Sequence, residues 1–223
     1  MNRTNIEWCD FSWNPVKGYC PNACPYCYAR AMYDRFGWDK TIGFAPGTLA
    51  DISVAKPGSR IFVGSTIDLF GSWVKPEWMA RILREGVEHY PDRTFIFLTK
   101  FPERLVRWNP WPENAWVGVT HDGTKGSLRW DTDRLRDVQA TIKFVSFEPL
   151  LRPIYGLQFP PQLNWAIIGA QTGRGPKPPL SEVHKWAQEI IDAADGAGIP
   201  VFLKDNLQWP VERREWPDGR VKC

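Results

Sequence analysis

Three cysteines lie within eight residues, Cys20, Cys24 and Cys27, in the stretch "GYCPNACPYCYAR" over 18–30. Thiolates spaced this closely can wrap one metal centre, because little loop-closure entropy separates the sulfurs. A four-iron cluster has four corners, so three cysteines leave one iron open to a small chelating ligand. Structural zinc is the rival reading. It takes four ligands, usually as two close pairs, and only Cys9, Cys223, His89, His121 and His184 remain to complete a set. None of them stands at a standard local spacing. A disulfide fragment is the third reading, but five cysteines, an odd count with three crowded together, do not resemble a secreted disulfide framework.

Such a loop needs elements to hold it. Six apolar runs end in small or polar residues: "RIFVGST" (60–66), "TFIFLTK" (94–100), "AWVGVTH" (115–121), "TIKFVSFE" (141–148), "NWAIIGAQ" (164–171) and "IPVFLKD" (199–205). Nearly continuous apolar character predicts strands buried on both faces, as in a parallel sheet. "FSWNPV" (11–16) is a weaker seventh, since proline suits an edge. Helical spacing appears over 26–36, 76–90 and 182–194, the last with Ser181 as expected N-cap and "GAG" (196–198) as its end. Residues 149–163 show no helix. Strand alternating with helix predicts an α/β fold, a partial or compact (β/α) TIM-type barrel with a mostly parallel sheet, since a complete one takes about 250 residues. A single domain over 1–223 is expected, with 206–223 a possible C-terminal extension lying across the barrel or hanging free.

In such folds ligands sit at the carboxyl ends of the strands, and the cysteine loop falls on that rim. The other rim residues are Gly64, Ser65, Thr66 and Asp68; Thr99 and Lys100; Thr120, His121 and Asp122; Ser146 and Glu148; Gly169 and Gln171; Lys204 and Asp205. Asp68 orients a ligand or caps the following turn. Lys100 pairs with a carboxylate or phosphate, or is a solvated strand end. Glu148, before a proline that favours extended backbone, needs a partner: a ribose, a substrate donor or Lys100.

"CPNACPYC" fits the CxxxCxxC signature of the radical S-adenosylmethionine superfamily, including the aromatic Tyr26 before the third cysteine. The extended "CPYCYAR" resembles the spore photoproduct lyase-like branch. "IEWCDFSWNPVKGYC", "STIDLF", "LTKFPERL", "SFEPLL" and "WAIIGAQTG" resemble a phage and bacterial family of uncertain function. The resemblance implies a [4Fe-4S] cluster on Cys20, Cys24 and Cys27 whose open iron binds S-adenosylmethionine. Reductive cleavage then gives a 5′-deoxyadenosyl radical that abstracts hydrogen from substrate, with an external flavodoxin- or ferredoxin-like electron donor. It implies cofactor contacts at Tyr26, at Gly64, Ser65 and Thr66 in place of a Gly-Gly-Glu-like motif, and at Ser146, Gly169 and Gln171. Catalytic roles fall to Asp68, Lys100 and Glu148. The implied substrate is a nucleic-acid base or nucleotide, with Trp73, Trp108, Trp111 and Trp130 as candidate stacking surfaces. A peptide or small metabolite is the alternative, as is a non-catalytic zinc-stabilised binding protein.

Composition sets the remaining limits. No apolar run approaches the ~20 residues of a membrane span, and "MNRTNIEWCD" lacks a signal-peptide core. A soluble, cytoplasmic protein with no membrane partner is expected. The net charge of +3 does not by itself argue for nucleic acid.

Overall fold

The computed structural model describes residues 1–219. Cys223 and the end of the expected C-terminal extension lie outside them. In chain order the strands are β1 (Asn2–Arg3), β2 (Phe11–Trp13), β3 (Val16–Lys17), β4 (Gly43–Phe44), β5 (Arg60–Val63), β6 (Thr94–Thr99), β7 (Ala115–Thr120), β8 (Ile142–Phe147), β9 (Trp165–Ile168) and β10 (Val201–Leu203). Helices α1 (Tyr28–Phe36), α2 (Pro76–Arg81), α3 (Leu128–Leu135) and α4 (Leu180–Gly196) fall between them.

All six apolar runs are strands, and "FSW" is the seventh. They pair in parallel in the order β2-β5-β6-β7-β8-β9-β10, with β1 antiparallel at the β2 edge. Among the described residues the sheet does not close, so the expected partial barrel is the observed architecture. β3 and β4 form a separate two-stranded ribbon that frames the cysteine loop.

Strand alternation divides the apolar residues into two layers. Ile61, Phe95, Phe97, Val117, Val145, Phe147, Ala166 and Ile168 pack with helix residues such as Met79, Ile82, Ala187 and Ile190. The opposite face, with Phe62, Ile96, Trp116, Phe144, Trp165, Ile167 and Phe202, meets no helix among the described residues. Trp8, Cys9 and Trp216 pack against it instead. A parallel sheet whose second face is filled by its own side chains is a rolled sheet with a packed interior. Near-continuous apolar runs follow from this geometry, since both faces of each strand are dry.

Three local expectations are refined. The 76–90 helix is α-helical only to Arg81, then widens to a π-helical turn over Ile82–Val87 that keeps Ile82, Leu83 and Val87 buried. Ser181 is not the N-cap of α4; that position is Pro179, with no side-chain cap. The described part of the tail does not hang free. Residues 213–215 run antiparallel along the outer edge of β10, with Leu203 N–H donating to Arg213 O and Glu215 N–H to Val201 O. This covers an edge that would otherwise expose unpaired backbone groups. Trp216 then turns under the strand starts, where its Nε1 donates to Trp8 O and the Arg60 guanidinium lies 4.7 Å from its ring. No helix among the described residues is long and apolar enough to cross a membrane.

Candidate functional site

The cysteine loop leaves β2, passes through the β3–β4 ribbon and enters α1. Cys27 occupies the N-cap position of α1. The helix ends at Gly37, in the left-handed conformation, whose N–H returns to Tyr33 O. Cys20 is buried, Cys24 and Cys27 half-buried, and none is in a disulfide.

Burial and nearby polar groups act in opposite directions on the first two sulfurs. Burial pushes the Cys20 thiol up, while the backbone N–H groups of Asp68 and Asn22, directed at its sulfur, oppose the shift. Burial also raises Cys24; the charge of Lys100 opposes it, and Asn22 Nδ2 donates to Cys24 Sγ at 3.3 Å. Cys27 stands close enough for its charge to act on both. Hydrogen bonds to sulfur are what tune an iron–sulfur centre. Among the described residues no three His, Cys, Asp or Glu side chains converge tightly enough for a single metal ion. Of the histidines offered for zinc, His184 Nε2 meets Leu207 O at 2.7 Å and His121 Nδ1 meets Asp131 Oδ2 at 2.6 Å on the helix face of the sheet.

Behind the sulfurs lies a polar layer at the strand ends. By alternation, Lys100, Thr120, Asp122, Ser146, Glu148, Gly169 and Lys204 continue the inner face, whereas Thr99 and His121 continue the helix face. Tyr26 Oη donates to Asp122 Oδ2 at 2.6 Å; Asp122 Oδ1 accepts from Thr124 N–H at 3.0 Å and Thr124 Oγ1 at 2.5 Å. Burial alone would raise Asp122, but these donors and the nearby Lys100 charge hold its carboxyl below the ordinary value. Burial and Asp122 together push the Tyr26 phenol far up. Lys100 Nζ sits 5.5 Å from the Tyr26 ring, and burial lowers its pKa against the pull of Cys24, Asp122 and Asp68.

Asp68 accepts three hydrogen bonds, from Phe70 N–H (3.0 Å), Thr99 Oγ1 (2.8 Å) and Lys100 N–H (2.9 Å). It thereby ties the β5 and β6 loops together. Glu148 pairs with Lys204, not with Lys100, and the Glu148–Pro149 peptide is cis. Gly169 lies between the partners: a Cβ there would stand 3.1 Å from Lys204 Cδ and 3.3 Å from Glu148 Cγ. Ser146 is fully buried and its Oγ has no hydrogen-bond partner. Such an orphan hydroxyl on the inner face is a donor in want of a ligand. Gln171 Nε2 donates to Arg174 O, closing a loop whose Gly173 lies so near Tyr26 O that a Cβ would be 2.1 Å away.

Ser65 and Thr66 reach a residue the sequence reading passed over, Asn14. Its Oδ1 accepts from Thr66 N–H (3.1 Å), Thr66 Oγ1 (3.2 Å) and Ser65 Oγ (3.2 Å). The Tyr28 hydroxyl donates to Ser65 O at 2.7 Å, and burial pushes that phenol up to about 12. Asn before Pro15 reads as an ordinary turn, so nothing in the sequence marked it. Of the candidate stacking tryptophans, Trp111 is core and Trp73 and Trp108 are half-buried, while Trp130 is 49% exposed.

Residues 3–218 match a family model described as a protein of unknown function, DUF5131, and the chain belongs to that family. No curated protein matches it. Among solved structures, the fold is similar to that of a spore photoproduct lyase double mutant with bound AdoMet and dinucleoside spore photoproduct. The TM-score is 0.54 at 12% identity, over 84% of this chain and 63% of that one. The chain therefore spans less than two thirds of that neighbour, and the likeness is one of fold.

Proposed function

We propose that this protein is a radical S-adenosylmethionine enzyme acting on a nucleic-acid base or nucleotide. The observation that carries the reading is the Cys-x3-Cys-x2-Cys loop on the carboxyl rim of a rolled parallel sheet, its sulfurs met by N–H donors and bordered by Lys100. The fold of a lyase bound to AdoMet and a dinucleoside supports it. Cys20, Cys24 and Cys27 would hold a [4Fe-4S] cluster and leave one iron open. When bound and reduced by a flavodoxin- or ferredoxin-like donor, such a cluster supplies the electron that splits S-adenosylmethionine into methionine and a 5′-deoxyadenosyl radical, which takes hydrogen from substrate.

This chain's residues do the positioning. Asn22 and the Asp68 backbone hold the sulfurs. Asn14 fixes the Ser65–Thr66 turn, leaving its hydroxyls and backbone beside the cysteine loop. The Ser146 hydroxyl, with no protein partner, is available to a cofactor hydroxyl or base edge. The Glu148–Lys204 pair offers one acceptor and one donor at the mouth, and the apolar interior below excludes water from a reactive radical.

Anaerobic reconstitution with iron and sulfide, reduction, and addition of S-adenosylmethionine tests the reading. 5′-Deoxyadenosine and a cluster paramagnetic signal perturbed by the cofactor are expected. Cys24→Ala is expected to lose cluster and cleavage while keeping its far-ultraviolet dichroism. A colourless, zinc-loaded protein without cleavage overturns the proposal.

A further inference from the structure

Residues 11–33, 123–130 and 149–179 contain no Asp or Glu but seven Lys or Arg, in a chain with 25 acidic and 28 basic residues overall. The fold gathers these three stretches at one end. They include the loops after β2, β7, β8 and β9, all opening on the carboxyl rim. Thr120 pairs in register with Ser146, and Ser146 with Ile167, so the last three loops are neighbours. Ser127 bridges Tyr155, Leu151 N–H donates to Asp122 O at 3.0 Å, and Gly173 abuts the cysteine loop at Tyr26.

These stretches therefore form one acid-poor sector of the rim; the loops after β5, β6 and β10 carry Asp68, Glu103 and Asp205. Lys125, Arg152, Arg174 and Lys177 are exposed and form no ion pair among the described residues. Lys125 Nζ reaches Lys100 O at 3.2 Å, linking the surface to the site. Of the acids at the strand ends, Glu148 is paired with Lys204, while Asp68 and Asp122 sit below the surface, bound by the donors described above. Three large rings of these stretches are exposed, Tyr155 at 67%, Trp130 at 49% and Tyr28 at 47%. The Arg134 guanidinium lies 3.5 Å from the Trp130 ring and holds that ring in place.

We propose that this rim docks single-stranded nucleic acid, with phosphates on Lys125, Arg152, Arg174 and Lys177 and bases stacked on Tyr155 and Trp130. Exposed cations without ion-pair partners recognise a polyanion. Exposed rings beside them select unstacked bases, whose faces a duplex keeps covered. The proposal deepens the radical reading by naming its substrate as a strand, and rests on it only for what happens at the mouth. Docking itself needs no cluster.

Fluorescence anisotropy of the full chain with a labelled strand of about 12 nucleotides tests it. Binding is expected to weaken from about 50 to 200 mM salt with a log–log slope of about −3, corresponding to four phosphates at about 0.7 each. The triple variant Arg152→Gln, Arg174→Gln, Lys177→Gln is expected to reduce that slope by about 2. Tyr155→Ala is expected to weaken binding at least about fivefold, the low end for one stacked base. Lys185→Gln, on α4, is expected to change nothing. No binding at low salt, an unmoved slope in the triple variant, or equal binding to the matching duplex or to anionic phospholipid vesicles overturns the proposal.

The two readings fail separately. Strand binding retained without any 5′-deoxyadenosine formation removes the radical chemistry and leaves the surface. 5′-Deoxyadenosine formation without strand binding does the reverse.

Discussion

At the scale of single residues, Asp122 joins the cysteine loop to the sheet through Tyr26 and Thr124. Its carboxyl is held below the ordinary value, so its contribution to stability is full above the unfolded pKa of about 3.9 and is lost as pH falls through the lower folded value. Asp122→Asn is expected to cost about 1–3 kcal/mol at neutral pH, the range for hydrogen bonds to a buried charged group. The difference from wild type should shrink in denaturant titrations at pH values below about 4. A constant difference across that range would show that the charge is not what matters. The sequence made the rim residues legible one by one, because each ends an apolar run. It did not show which of them share a face, since both faces of these strands are apolar and alternation leaves no mark. That is why Glu148 was offered Lys100 as a partner. Lys100 follows β6 and Lys204 follows β10, and only the packing of Glu148 and Lys204 across Gly169 decides between them. Asn14 was missed for a different reason: its three acceptor contacts come from residues more than fifty positions away.

At the scale of elements, a glycine follows β9 because the residues after β8 and β10 form their ion pair across it. Gly169→Ala would put a methyl 3.1–3.3 Å from Lys204, Asn206 and Glu148, so those side chains must give by a few tenths of an ångström. A loss of about 1 kcal/mol is expected in chemical denaturation, at the low end for overpacking because the neighbours are side chains. A variant as stable as wild type would mean that the pair has slack. Strand positions were readable because a parallel sheet with two dry faces writes long apolar runs. Helix α4 was readable from its apolar spacing, but not its start. Pro179 takes the cap position, so the helix opens one residue before the serine that looked like its cap. The change from α to π hydrogen bonding after Arg81 leaves the same residues buried, and a pattern of apolar positions carries no trace of it.

At the scale of the whole molecule, the tail was the least legible part. Trp216 lies in a polar, proline-containing stretch, yet it is 5% exposed and packs against Phe202 at a ring distance of 5.0 Å. Its burial is settled by contacts with residues at the far end of the chain, Trp8 and Arg60. Trp216→Ala is expected to cost about 3–5 kcal/mol, as for other buried aromatic truncations, and to lower the thermal midpoint while leaving the cysteine loop intact. Cluster loading equal to wild type after reconstitution would check the second half of that expectation. Charge was also hidden at this scale, because a net value near neutrality averages an acid-poor sector of the rim with the acids elsewhere. The aromatic stopper has a further consequence. With Trp8, Trp165 and Trp216 filling the floor, the rolled sheet is shut at the end where its strands begin, so a ligand of the carboxyl rim has a single side from which to arrive and depart.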